Sequence, residues 1–167
     1  MSLGHVTHAA QRGVHVLRYF GAVNFTLAPG LNHFLQHLIH DGGVSALVFD
    51  LTGAESLDST NLGLMARVNE QVRDAGAANS VIISNNEDID AVLRSMGFDQ
   101  TFDFFPAGSE PPCVDAEPVN AELTSAAELQ RIMLDAHRAL MRMSEAGRIE
   151  FEQVVACLER DTTVKRA

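Results

Sequence analysis

Residues 47–68 read LVFDLTGAESLDSTNLGLMARV, and the change of hydrophobic period inside this stretch decides the fold. Residues 44–50 form a short, nearly continuous apolar run with a β-branched start, the pattern of a central strand buried on both faces. Beyond it, Leu62, Met65, Ala66 and Val72 recur at helical spacing, while Arg67, Glu70, Arg73 and Asp74 are polar, and Gly76 closes the helix. The segment between is then a strand-to-helix connection that sets Asp58, Ser59 and Thr60 at a helix N-terminus. Such residues cap helices, because a side-chain oxygen accepts from the orphan N–H groups of the first turn. The same N–H groups attract negative charge, so a phosphate on a hydroxyl there is locally tolerated.

Working outward, the chain alternates strands and helices. Residues 14–20, VHVLRYF, are rich in β-branched and aromatic side chains and read as a strand. VTHAA before them reads as a short edge strand, closed by a turn at Gln11-Arg12-Gly13. After the loop AVNFTLAPG, Leu31, Phe34, Leu35, Leu38 and Ile39 predict a helix that ends at Asp41-Gly42-Gly43. Residues 80–84 give a third buried-type strand, 88–96 a third helix ended by Gly97, and 101–104 a last short strand. The order β-β-α-β-α-β-α-β, with helices between buried strands, predicts an α/β sandwich. Residues 106–122 hold several prolines and little periodicity, and read as a linker. Ser125 and Glu128 have capping-box spacing, and Leu129, Ile132, Met133, Ala136, Leu140 and Met143 form a stripe behind them. Gly147 is expected to break this helix, and Ile149, Phe151, Val154, Val155 and Leu158 supply a second stripe. Two helices cannot bury both stripes on each other alone, so they pack on the main domain or on a second copy. The expected organisation is a domain over residues 1–105, a linker over 106–122 and a two-helix extension over 123–167.

Composition narrows the function. With 46% hydrophobic residues the chain is not a disordered one, and its net charge of −10 is spread over both parts. Phosphate contact needs positive charge, so no direct nucleic-acid partner is expected, whereas a basic protein partner suits the field. No run reaches the roughly 18 apolar residues of a membrane span, and residues 1–13 lack the apolar core of a signal peptide, which points to the cytoplasm. Cys113 and Cys157 have no metal or dithiol spacing. His33 and His37 stand i,i+4 on the first helix, a spacing that can hold a metal, but no further ligand set accompanies them, so neither metal nor cofactor is expected. No G-x-S-x-G elbow surrounds Ser59 and no glycine-rich phosphate loop follows a strand, which speaks against an enzyme.

The stretch 47–68 resembles the signature of the STAS domain of bacterial anti-sigma factor antagonists, and the resemblance extends over roughly residues 5–105. That family carries a strand ending in aspartate and an apolar-Asp-Ser-Ser/Thr-Gly-Leu-Gly motif opening a helix. Asp50 matches the first aspartate, Asp58 the motif aspartate, Ser59 the serine phosphorylated by a partner kinase, Thr60 the next hydroxyl, and Leu62 and Gly63 the Leu-Gly. HVLRYFGAVNF and SMGFDQTFDFF resemble flanking elements. The resemblance implies a sandwich of a four- to five-stranded mixed sheet with helices, extended at the C-terminus by helices. It implies an anti-sigma factor antagonist that binds an anti-sigma factor or kinase-like regulator and is switched off by phosphorylation of Ser59, with a serine kinase and a phosphatase acting on that residue. Asn24, Asp58, Ser59, Thr60, Asn61, Leu62 and Met65 are then the expected partner-binding residues, and Asp50 a supporting carboxylate. Asn61 replaces the family's glycine, and Gly21-Ala22-Val23-Asn24 replaces a Gly-Glu-Leu-Asp stretch, which points to a divergent partner. The alternative is a non-enzymatic scaffold or sensor module of the same fold, whose tail helices drive assembly or homodimerisation.

Overall fold

The computed structural model describes residues 2–111 and 115–166, so Cys113 lies outside the described residues. The strands are β1 (His5–Gln11), β2 (Val14–Val23), β3 (Ala46–Leu57), β4 (Val81–Ser84), β5 (Asp103–Pro106) and β6 (Glu117–Pro118). They form one sheet in the order β5-β4-β3-β2-β1-β6. β2, β3, β4 and β5 run parallel to one another, while β1 is antiparallel to both β2 and β6. The helices are α1 (Ala28–Asp41), α2 (Ser59–Asp74), α3 (Glu87–Ser95), the single turn α4 (Phe98–Thr101), α5 (Ala126–Met143) and α6 (Glu145–Arg166). This is a mixed α/β sandwich with a C-terminal helical extension. No helix among the described residues is long and apolar enough to cross a membrane.

Strand alternation sorts the sheet's two faces. Leu17, Tyr19, Leu47, Phe49, Leu51 and Ile82 join the core beneath the helices, together with Leu31, Leu35, Leu62, Leu64, Met65, Ile132, Ala136 and Leu140. Val16, Val48 and Ile83 form a separate patch on the other face. The extension therefore packs on the main domain.

Four local expectations are corrected. β3 does not stop at Asp50: two register shifts in its pairing with β2 carry it to Leu57. The chain after Gly97 first makes α4, so the last long strand is Asp103–Pro106 rather than 101–104. The linker contributes β6, pairing Thr7 with Pro118 and His8 with Glu117. Finally, Ser144, not Gly147, interrupts the tail helices: its φ of −156° and ψ of 160° are extended, and Gly147 lies within α6. Glycine is needed there because a Cβ would stand 2.1 Å from the Leu140 carbonyl oxygen.

His8 and His15 lie 3.0 Å apart, Nε2 to Nδ1, with their rings stacked between β1 and β2. One ring must donate and the other accept, so the pair holds together only while at least one is neutral. Burial lowers both pKa values; for His8 the neighbouring His15 lowers it further and Glu117 partly opposes. The unfolded chain takes up these protons near the ordinary histidine value of about 6.5, before the native rings do. Stability should therefore fall as pH drops below that value and level off once the native rings also protonate. Urea midpoints measured from pH 7.5 to 5 are expected to decline, with the decline flattened in a His8→Gln/His15→Gln variant.

Candidate functional site

The ends of β2 and β3 build one rim of the molecule. Val23 pairs with Leu57, and the Asp58 amide donates to the Val23 carbonyl at 3.2 Å. Asn24, just after β2, is exposed and caps a turn over Phe25–Leu27, its Oδ1 accepting from Thr26 N at 3.0 Å and Thr26 Oγ1 at 2.6 Å. Asn24 and Asp58 are thus neighbours on the rim, with Glu55 and Ser56 exposed beside them. The Ser2 hydroxyl and amide donate to Glu55, and the hydroxyl bond in particular holds that carboxyl below its usual range.

Asp58 is the N-cap of α2. Its Oδ1 accepts from Asn61 N at 3.0 Å and from Asn61 Nδ2 at 2.8 Å. Ser59 occupies the first helical position. An aspartate cap that also satisfies a buried amide side chain contributes at the upper end of the usual range, so Asp58→Ala should cost about 1–2 kcal/mol in chemical denaturation. Asn61 Oδ1 is buried with no hydrogen-bond partner among the described residues.

The expected partner-binding residues do not share one exposure. Asn24 is open, Asp58 and Ser59 are half-buried, and Thr60, Asn61, Leu62 and Met65 are buried, the last two in the core. Leu62 and Met65 face the interior because α2 is covered on two sides, by the sheet and by α5. Asp50 also lies elsewhere. It alternates with Phe49 and Leu51, so it faces away from the helices, and the seven residues from it to Leu57 span about 23 Å of strand. It is 1% exposed and pairs with Arg18 Nε at 2.9 Å, while also accepting from Thr52 N at 3.0 Å and Thr52 Oγ1 at 2.6 Å. It is a structural carboxylate of the sheet, not a support for Ser59.

The contact that sequence reasoning missed is His137 of α5. Its Nε2 lies 2.9 Å from Ser59 Oγ, and its Nδ1 lies 2.6 Å from the Met133 carbonyl. A carbonyl only accepts, so Nδ1 carries a proton; in the neutral ring Nε2 is then the acceptor and the Ser59 hydroxyl donates. His137 is 3% exposed and meets Phe151 of α6 edge-on, with ring centroids 5.4 Å apart. The pair has the polarity of a serine facing a histidine, with the imidazole buried beneath Phe151. The signal lay in the tail stripe: His137 is four residues after Met133 and three before Leu140, on the buried side.

The paired histidines of α1 have partners of their own. His33 Nδ1 bonds Glu122 at 2.7 Å and His33 Nε2 lies 2.9 Å from His37 Nε2. Among the described residues no group of three or more histidine, cysteine or acidic side chains is arranged to hold a metal ion.

Comparison with known proteins agrees with this architecture. The STAS domain model matches residues 6–110. No curated protein matches the chain. Among solved structures, the anti-sigma factor antagonist SpoIIAA in its unphosphorylated form is similar at 14% identity and a TM-score of 0.53, over 63% of this chain and 89% of that one. The Bacillus cell fate determinant SpoIIAA in its phosphorylated form gives 13% and 0.52 over 64% and 94%. An anti-sigma factor antagonist from Mycobacterium paratuberculosis gives 22% and 0.53 over 63% and 87%. The family model ends at residue 110, before the helices that cover α2. The chain belongs to the STAS domain family.

Proposed function

We propose that this protein is an anti-sigma factor antagonist: a binding protein, not an enzyme, that engages an anti-sigma factor or related kinase-like regulator through the rim around Ser59 and is switched off by phosphorylation of that serine. One observation carries the reading. In a STAS fold, the Ser59 hydroxyl stands at the first position of α2, directly after an aspartate cap and beside the exposed Asn24 rim. A phosphoryl group there is favoured locally by the helix N-terminus. It also adds up to about two negative charges next to Asp58 and Glu55, which repels any partner selected for an uncharged serine. A kinase and a phosphatase acting on Ser59 complete the cycle.

The test uses the partner captured from native cell extract. Ser59→Ala is expected to retain it, and Ser59→Asp to lose at least about tenfold in affinity, roughly 1.4 kcal/mol. Equal retention by both variants, together with equal retention by the enzymatically phosphorylated protein, would contradict the charge switch.

A second reading is a scaffold or sensor module in which Ser59 is seldom modified. The observation favouring it is the bond from Ser59 to His137, which already engages the hydroxyl. Light scattering discriminates, since a large stable homo-assembly belongs to the scaffold and a small species to the switch.

A further inference from the structure

The first tail helix, α5, closes over the face of α2 that carries Ser59, and α6 packs on α5. Ser59, Gly63, Ala66 and Glu70 follow one another at helical spacing and make a single line along α2. Ser59 meets His137, and Glu70 meets Arg142, whose Nε lies 3.1 Å from its carboxylate. At Gly63 the helices touch: a Cβ there would stand 2.3 Å from the Ala136 carbonyl oxygen. The elbow between α5 and α6 is seated too, because Ser144 Oγ donates to the Met96 carbonyl and a Cβ at Gly97 would meet Ser144 Cβ at 2.6 Å.

The seat is reached through an exposed connection. The chain before it is anchored by β6 on β1 and by Glu122 on His33. Between that anchor and α5, residues 123–125 are exposed, and Leu123 is fully so. Beyond that connection, α5 and α6 are packed on one another through Phe151 on His137 and Gly147 on Leu140.

We infer that the α5–α6 hairpin is an intramolecular lock on the Ser59 face, latched by the Ser59–His137 bond, and that it swings about residues 123–125 to admit the kinase or the partner. The inference rests on the phosphoacceptor reading of Ser59 for its purpose, and on the packing for its existence. The 2.9 Å between Ser59 Oγ and His137 Nε2 has no space along it for a phosphoryl group. Phosphorylation replaces the hydrogen that Ser59 donates to His137, so the latch bond and the modification oppose each other, and by linkage whatever opens the lock promotes modification.

Accessibility can be measured without the kinase. In the full chain, with Cys113→Ser and Cys157→Ser, Ser59→Cys provides one thiol, and its alkylation by iodoacetamide is followed by intact mass. Ala136→Leu adds bulk at a wholly buried position against Gly63 and should lift the hairpin. Alkylation is expected to accelerate at least tenfold in that variant, with hydrogen exchange rising in α5 and α6 but not in β2, β3 and β4. Should Ala136→Leu disturb the sheet, His137→Glu, which buries a carboxylate in place of the imidazole that Ser59 meets, is read by hydrogen exchange in α5 and α6 with the same expectation. Equal alkylation rates in the closed and lifted chains, together with equal hydrogen exchange in α5 and α6 of the Ser59 chains with and without Ala136→Leu, would overturn the lock. Incubation of the Ser59 chains with native extract and ATP separates the two claims: faster phosphorylation of the Ala136→Leu chain supports both. A lifted chain that alkylates fast and never acquires phosphate on Ser59 sinks the phosphoacceptor reading and leaves the lock standing.

Discussion

Arg18→Ala is expected to remove about 1–3 kcal/mol of stability, less than for a fully buried pair because the Arg18 side chain is 37% exposed. Asp50 is 1% exposed and its pair with Arg18 Nε is 2.9 Å long. The two residues stand opposite one another in the parallel β2–β3 ladder, so the pair bridges the two strands that lead to the Ser59 rim. Thr52 continues to donate its amide and hydroxyl to the carboxylate, which limits the loss but supplies no charge. Asp50→Asn keeps an acceptor for Thr52 and frees the partly exposed Arg18 into water, so it should cost less. In the double variant Arg18→Ala/Asp50→Asn no charge is stranded, and much of the loss should return. A double-mutant cycle in urea gives the coupling directly. A coupling near zero would show that the carboxylate is held by Thr52 alone.

Gly63→Leu should cost at least about 3 kcal/mol, beyond the middle of the range for overpacked sites, because its obstacle is backbone that has no rotamer to change. The added Cβ falls 2.3 Å from the Ala136 oxygen and 2.5 Å from its carbonyl carbon. Relief comes only from separating α2 and α5. The loss should therefore be expressed in the tail: proteolysis and hydrogen exchange would rise in residues 126–166 first, while β2, β3 and β4 stay protected. A uniform loss across the sheet would mean that the domain and its extension unfold as one unit. The same substitution read against Ala136→Leu also tests which side of the contact yields.

Much of this fold was legible between residues 44 and 96, where the first half of β3, α2, β4 and α3 each declare their own period. Residues 44–50 and 80–84 are apolar runs of strand length, and the stripe Leu62, Met65, Ala66, Val72 is helical. The far half of β3 was not legible. LTGAESL contains Gly53 and two hydroxyl residues, and its pairing depends on shifts in register with Phe20, Gly21 and Ala22 that no local pattern announces. That extra length is what separates Asp50 from Ser59. The elbow at Ser144 was hidden by Gly147, a residue that usually ends helices but here permits close approach to Leu140. The tail's landing place was the largest gap. An amphipathic stripe tells that a face is buried and not against what, so Leu62 and Met65 could be read as core or as groove, and His137 as one more stripe position. The three-dimensional contact between Ser59 and His137, 78 residues apart, is long-range information.

The central claim is that Ser59 is the group on which the protein is switched. The most direct measurement is site-resolved mass spectrometry of the full chain after incubation with native cell extract and ATP, beside Ser59→Ala. A single phosphoryl group on Ser59, absent from the variant and accompanied by release of the captured partner, is the result predicted. Phosphate at another residue with Ser59 unmodified in both the wild-type and the lifted Ala136→Leu chain, or partner release that persists in Ser59→Ala, would contradict it.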